Sequence, residues 1–239
     1  MGDLIEYAPL LAQGTVVTVM LAVLSLAMAT ALGALGAAGR LSGWLVADWT
    51  AQGYTTLVRG VPDLVMILLI YFGGQRALNG VVELIGAERI EVSKFAAGVM
   101  AIGFIYGGYL AETFRGAFAS IPRGQAEAGR ALGMTRLAIL RQIELPQLIR
   151  LALPGYANVW MVLVKSTAVV SVIGLGDLVG LADKAGKSTR QQFWFYLAVL
   201  LVYLAITAVS DYLLTRARTR AERGMVPVLG DQIDPHATI

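Results

Sequence analysis

Residues 10–38 read LLAQGTVVTVMLAVLSLAMATALGALGAA, a block of 29 positions without a charge. A hydrocarbon core about 30 Å thick is crossed by roughly 20 apolar residues in a helix. The block therefore predicts a membrane span, and it is too long for the apolar stretch of a cleaved leader. The preceding MGDLIEYAP is acidic and lacks a leader's basic start, so the span is read as retained. The rest of the chain agrees. Of its 239 residues, 57% are hydrophobic and 15% charged, against about 25% charged in an ordinary soluble domain.

Four more apolar blocks follow, predicting spans at about 54–78, 95–119, 151–173 and 193–215. A six-span reading would break the fourth block near Pro154 and re-enter around 174–181. Charge placement favours five. Arg40, Arg115, Arg123, Arg130, Arg136, Arg141, Arg150, Arg216, Arg218, Arg220 and Arg223 fall on one side of a five-span bundle. Arg76, Arg89, Lys94, Lys184, Lys187 and Arg190 fall on the other. Basic residues in short loops mark the cytoplasmic face, so the amino end is expected outside and the carboxyl end inside. Ala29, Gly33 and Ala37 in the first span, and Gly103 and Gly107 in the third, have the four-residue spacing that lets helices approach closely in lipid. Residues 221–239 read as a polar tail, disordered from 224 onward.

Composition removes several function classes. There is no cysteine and a single histidine, His236 in the tail, so thiol catalysis, a histidine metal site and a Ser–His triad within the membrane are not buildable. Ala185-Gly186-Lys187-Ser188-Thr189 looks like the end of a phosphate loop, but five residues separate it from Gly180 where the motif needs four. The arginines of the long loop lack interleaved aromatics for stacking bases, and no nucleic-acid partner is expected. Neither a metal nor a cofactor is expected on this chain.

Residues 121–149, IPRGQAEAGRALGMTRLAILRQIELPQLI, form a long connection between the third and fourth spans. Ala126, Ala128, Ala131 and Leu132 favour a short helix, and Gly133 is a natural stop. A second amphipathic helix is expected from Arg136 to Leu145, interrupted by Pro146. From the residues alone, the first helix suits either a groove on another protein or a passive position on the membrane surface. Glu127-Ala128-Gly129, Gly133 and Ile143-Glu144-Leu145-Pro146 resemble the EAA loop of binding-protein-dependent ABC importer permeases: E-A-A, three residues, G, nine residues, I-x-L-P. Gly129 stands where that family usually has alanine. Arg59-Gly60-Val61-Pro62, Glu112-Thr113-Phe114-Arg115-Gly116, Lys165-Ser166-Thr167 and Val170-Ser171-Val172-Ile173-Gly174-Leu175 are similar to the polar amino acid branch, nearest the Q-type permeases of histidine, lysine, arginine and ornithine importers.

The resemblance covers about residues 10–220. It implies an all-α, MetI-like bundle of five membrane helices in a bacterial inner membrane, with a cytoplasmic coupling loop. It also implies a second permease subunit (a homologue or another copy), two cytoplasmic ATPases that bind ATP and magnesium themselves, and a periplasmic amino-acid-binding protein. Glu127, Ala128, Gly129, Arg130, Leu132 and Gly133 would then form the ATPase-coupling helix. Implied cargo is an amino acid, basic or an opine.

Charges within spans cost roughly 2.5–3.5 kcal/mol each on insertion scales, so each needs a reason. Arg59 and Asp63 are four apart and expected on one helix face; Glu112 and Arg115 are three apart; Lys165 lies inside the fourth span. Asp63, Tyr109, Glu112, Lys165 and Ser166 are candidates for the solute pathway. The competing reading makes the charges internal ion pairs or snorkelling groups.

Overall fold

The computed structural model describes residues 2–221, and among them every regular element is helical. The tail from 222, including Arg223 and His236, lies outside the described residues. A short α1 (Gly2–Glu6) leads into α2 (Ala8–Leu41), the first span. Its buried positions, Gly14, Thr18, Leu21, Ala22, Ser25, Ala29, Gly33 and Ala37 among them, form one stripe. From Leu21 onward that stripe lies against α5 (Lys94–Ala119), the most enclosed span, while Gly14 and Thr18 meet Asp177 and Leu178. The small residues let the two backbones meet: a Cβ on Gly33 would lie 2.6 Å from Leu110 Cβ, and one on Gly107 would lie 2.8 Å from Leu32 Cβ. Contact that close is what holds helices together where lipid competes equally for apolar surface.

The expected span at 54–78 is corrected. Residues 54–60 belong to α3 (Leu45–Gly60), which doubles back along α2, and the helix long and apolar enough to cross a membrane is α4 (Asp63–Leu84). Between them Val61 (φ −112°, ψ 135°) and Pro62 (φ −58°, ψ 138°) are extended. Proline has no N–H to donate and disfavours helical backbone in the residue before it. Arg59 and Asp63 therefore sit on different helices and do not share a face. One π-helical turn, Leu69–Gly73, interrupts α4.

After α5 comes the short α6 (Arg123–Ala131), closed by Gly133 at φ +79°, a left-handed conformation that glycine adopts without penalty. Thr135 caps the next helix by accepting from Ala138 N at 3.3 Å. That helix, α7, runs from Arg136 to Ile173. Pro146 does not break it as expected. It occupies the first turn after a π-helical segment, Leu140–Glu144, where a missing N–H is tolerated. Pro154 lies inside α7 without ending it. From Thr167 to Ile173 the helix tightens to 3₁₀ and stops at Gly174 (φ +80°). The connection and fourth span thus join into one element.

Helix α8 (Leu178–Thr189) is too short to cross a bilayer and packs on α2 and on α9 (Gln192–Ala221), the last span. The sequence Ala185–Thr189 is its last turn rather than a phosphate-binding loop. The five helices long and apolar enough to cross a membrane are α2, α4, α5, α7 and α9.

Candidate solute pathway and coupling segment

The break after α3 places Asp63 at the start of α4, facing α5. Tyr106 Oη donates to Asp63 Oδ2 at 2.9 Å, and Ser166 Oγ donates to the same oxygen at 3.2 Å. Tyr109 stacks on Tyr106, ring centroids 5.7 Å apart. Three of the sequence-predicted pathway residues are thus gathered at one point through Tyr106. That residue was missed because its run, GFIYGGYL, reads as apolar packing. Tyr106 is 12 residues into a 26-residue helix, about 18 Å along it at 1.5 Å per residue. The carboxylate is therefore near mid-membrane, where two spans lose regular α geometry: α4 at its start and α7 at Ser166–Thr167. Irregular backbone and ionisable groups at that depth are tolerated where they line a cavity or are buried in protein.

Lys165 neighbours Ser166 but is exposed, and Asn158, two turns earlier on α7, is exposed as well. On α3, Gln52, Thr56 and Arg59 are also uncovered. Spacings of three, four and seven residues put each set on one helix face. Polar faces are costly against acyl chains.

Glu112 belongs to a different place, further along α5. It accepts two hydrogen bonds from Arg115, the shorter at 2.8 Å. With Arg40, Gln52, Thr55, Thr56 and Arg59 it lines a polar cavity of about 410 Å³. Arg40 in turn pairs with Asp48 at 3.1 Å. The cavity lies one to two helical turns from the Asp63 cluster, and both opposite charges of a zwitterion have a counterpart in it. A second polar cavity, of about 680 Å³, lies at the far end of α4, lined by Gln75, Arg76, Asn79, Arg89 and Glu91 among others. There Gln75 and Asn79 accept from Val92 N at 2.8 Å and Ile90 N at 3.0 Å, tying down the connection to α5.

On α6 and in the turn that closes it, Glu127, Ala128, Arg130, Leu132 and Gly133 are exposed, Leu132 by 83%. Gly129 is the buried one: a Cβ there would meet Ile139 Cγ1 and Ile143 Cδ1, each at 3.1 Å. The helix thus rests its glycine on the first turns of α7 and turns its other faces outward. An isolated nine-residue helix is marginal in water, so this seat on α7 is what presents it.

A buried polar knot closes the opposite end. Asp177 is fully enclosed and caps α8, accepting from Gly180 N at 3.1 Å and Val179 N at 3.4 Å. Leu178 N donates to Thr18 Oγ1 at 3.1 Å, and Tyr203 Oη pairs with Thr167 Oγ1 at 3.1 Å. Burial raises the Asp177 carboxyl to about 6, against the opposing pull of its backbone donors.

Among the described residues no cluster of His, Cys, Asp and Glu has metal-binding geometry. The pattern of the family described as "Binding-protein-dependent transport system inner membrane component" matches residues 29–223. The histidine/lysine/arginine/ornithine transport system permease protein HisQ of Escherichia coli (strain K12) is 44% identical, over 92% of this chain and 96% of that one. The octopine transport system permease protein OccQ of Rhizobium radiobacter is 42% identical, over 89% and 90%. A solved structure described as an amino acid ABC transporter with histidines superposes with a TM-score of 0.78 at 31% identity, covering 91% of this chain and 96% of that one. The chain belongs to the binding-protein-dependent transport system inner membrane components and is a permease subunit of an ABC importer.

Proposed function

We propose that this chain forms one half of the path for a cationic amino acid or an opine, paired with a second permease. In this reading a periplasmic binding protein delivers solute at the end of the bundle holding the α4–α5 connection and α8. Of two cytoplasmic ATPases, one grips α6 and its closing turn at the other end through Glu127, Ala128, Arg130, Leu132 and Gly133. The amino end of α2 is then periplasmic and the carboxyl end of α9 cytoplasmic.

One observation carries the proposal: the uncovered polar faces of α3, at Gln52, Thr56 and Arg59, and of α7, at Asn158 and Lys165. Such a face requires a water-filled path or a partner permease in front of it. Asp63, half-buried beside it, offers a carboxylate to a cationic side chain or α-amino group, and Lys165 offers an ammonium to a carboxylate. Names of the similar proteins, which specify histidine, lysine, arginine, ornithine and octopine, support cargo of this class. ATP-driven closure of the ATPases would move α6 and, through its seat on Ile139 and Ile143, the whole of α7. The second permease and the ATPases thereby bias a two-state bundle between inward and outward access.

The natural absence of cysteine makes the test direct. Asn158→Cys and Leu200→Cys are introduced singly into the assembled importer and treated with a charged, membrane-impermeant thiol reagent. The proposal expects labelling at position 158, slowed by arginine or octopine, and none at the lipid-facing position 200. Equal labelling of both, or protection of neither by solute, overturns it.

A further inference from the structure

At the coupling-segment end of the bundle, α2, α5 and the first turns of α7 enclose a groove of about 400 Å³, lined by Ala34, Ala38, Phe114, Phe118, Leu140 and Ile149 among others. It is not part of the solute path. The one hydroxyl on its wall, Thr30, is already used by Leu26 O at 2.7 Å and Tyr156 Oη at 3.0 Å. A zwitterion placed there would lose its hydration without gaining partners. Leu140, Leu145 and Ile149 are 41%, 41% and 59% exposed, so the groove opens to its surroundings along α7.

Its depth and its rim identify an occupant. The groove reaches the last turns of α2 and α5, which end at Leu41 and Ala119. In a bilayer that is the level where acyl chains meet headgroups. Arg136, Arg141 and Arg150 are exposed along the same stretch of α7, and among the described residues none is in an ion pair. Arg141 is one turn before Leu145 and two turns before Leu148, both on the groove wall. Apolar walls beneath an unpaired guanidinium match one acyl chain beneath a phosphate, and basic pockets between spans on the cytoplasmic side bind anionic headgroups.

We propose that this groove holds one acyl chain of an anionic phospholipid, with its phosphate on Arg141. The chain lies against the segment of α7 that seats the coupling helix: Leu140 and Leu145 bear on the groove, and Ile139 and Ile143 bear on Gly129. A bound lipid fills the space behind that seat and makes motion of α6 carry into α2 and α5 rather than collapse the groove.

The test uses the complete importer in nanodiscs and counts retained lipid by native mass spectrometry, with phosphatidylglycerol and phosphatidylcholine as probes. The expected result is one phosphatidylglycerol per copy of this chain, retained in preference to phosphatidylcholine. Arg141→Gln weakens that retention about 5-fold, the contribution of one basic residue at a membrane surface. Ala38→Phe, which fills the groove, removes it. Retention that ignores headgroup charge, or that survives in R141Q and A38F alike, overturns the proposal. So does a cross-link from Ala34→Cys to the second permease, which would make a protein the occupant. The lipid count does not depend on transport, so it can fail while the pathway assignment stands.

Discussion

Asp63→Asn separates the role of the mid-membrane carboxylate in solute binding from its role in packing. In the structure one carboxylate oxygen accepts from both Tyr106, 3% exposed, and Ser166, 8% exposed. Asparagine keeps an oxygen that can accept both hydroxyls and loses only the charge assistance, roughly 1 kcal/mol per bond. Alanine strands two buried hydroxyls, at about 1–3 kcal/mol each, or about 2–6 kcal/mol together. For a cationic solute the charge itself is the larger matter. Truncating one side of a close charge pair costs about 2–5 kcal/mol, and half-burial of Asp63 puts the expected loss near 2 kcal/mol. That corresponds to about a 30-fold rise in half-saturation. The assay is arginine uptake into ATP-loaded proteoliposomes carrying the whole importer, paired with thermal unfolding in detergent. Asp63→Asn should raise half-saturation about 30-fold with a small fall in unfolding temperature, and Asp63→Ala should unfold markedly earlier. A D63N importer with half-saturation within about 2-fold of wild type would refute the assignment of Asp63 to the pathway.

Other consequences follow from close contacts and burial. Gly33→Ala drives a Cβ to 2.6 Å from Leu110 Cβ and 3.1 Å from Ala111 N, so about 1–3 kcal/mol of overpacking should lower the unfolding temperature. Gly53→Ala, with nothing within 4 Å, should leave it unchanged or raise it; similar behaviour of the two variants would contradict close α2–α5 packing. Asp177 gives a pH signature. Its carboxyl titrates near 6 in the fold and near 3.9 when unfolded, so between those values the folded state holds the extra proton. Stability then falls as pH rises through that window, by roughly 3 kcal/mol in all, and the deficit is full above about pH 6. Asp177→Asn keeps a capping oxygen without a charge, so unfolding temperature against pH should show the variant more stable than wild type at pH 7, with the gap closing by about pH 4.

The apolar blocks made the five spans legible, and the small-residue spacing in residues 29–37 and 103–107 marked faces suited to close approach without saying which helix each would meet. Pro62 was visible too, but its consequence was not. A window of hydrophobicity runs straight through Leu57–Leu69, and only the restriction that proline places on Val61 separates α3 from α4. Pro146 misled in the opposite direction, because a first-turn position after a π-helical segment absorbs its missing donor, whereas Pro154 lies within the fourth span as the five-span reading had it. Asp63 and Ser166 could be singled out as ionisable and polar groups inside apolar runs. Tyr106 could not, since an aromatic in a helix of glycine and isoleucine is indistinguishable from core until the partner helix is placed. Asp177 is similar: in Gly-Leu-Gly-Asp it reads as a turn, and its burial depends on Thr18 and Tyr203, distant in sequence. The exposed residues of α6 were found by family resemblance, whereas their seat on Ile139 and Ile143 was not predicted.

Coupled transport by this bundle requires α6 to be the handle through which the ATPases move it. The direct measurement is cross-linking from Ala128→Cys, exposed on α6, to the ATPase subunits in the assembled importer, with and without a non-hydrolysable ATP analogue. An efficient cross-link to an ATPase is expected, with a yield that changes with nucleotide, while Ala87→Cys at the α4–α5 connection gives none. A chain that transports solute while Ala128→Cys never reaches an ATPase, or reaches it no better than Ala87→Cys, would contradict that role.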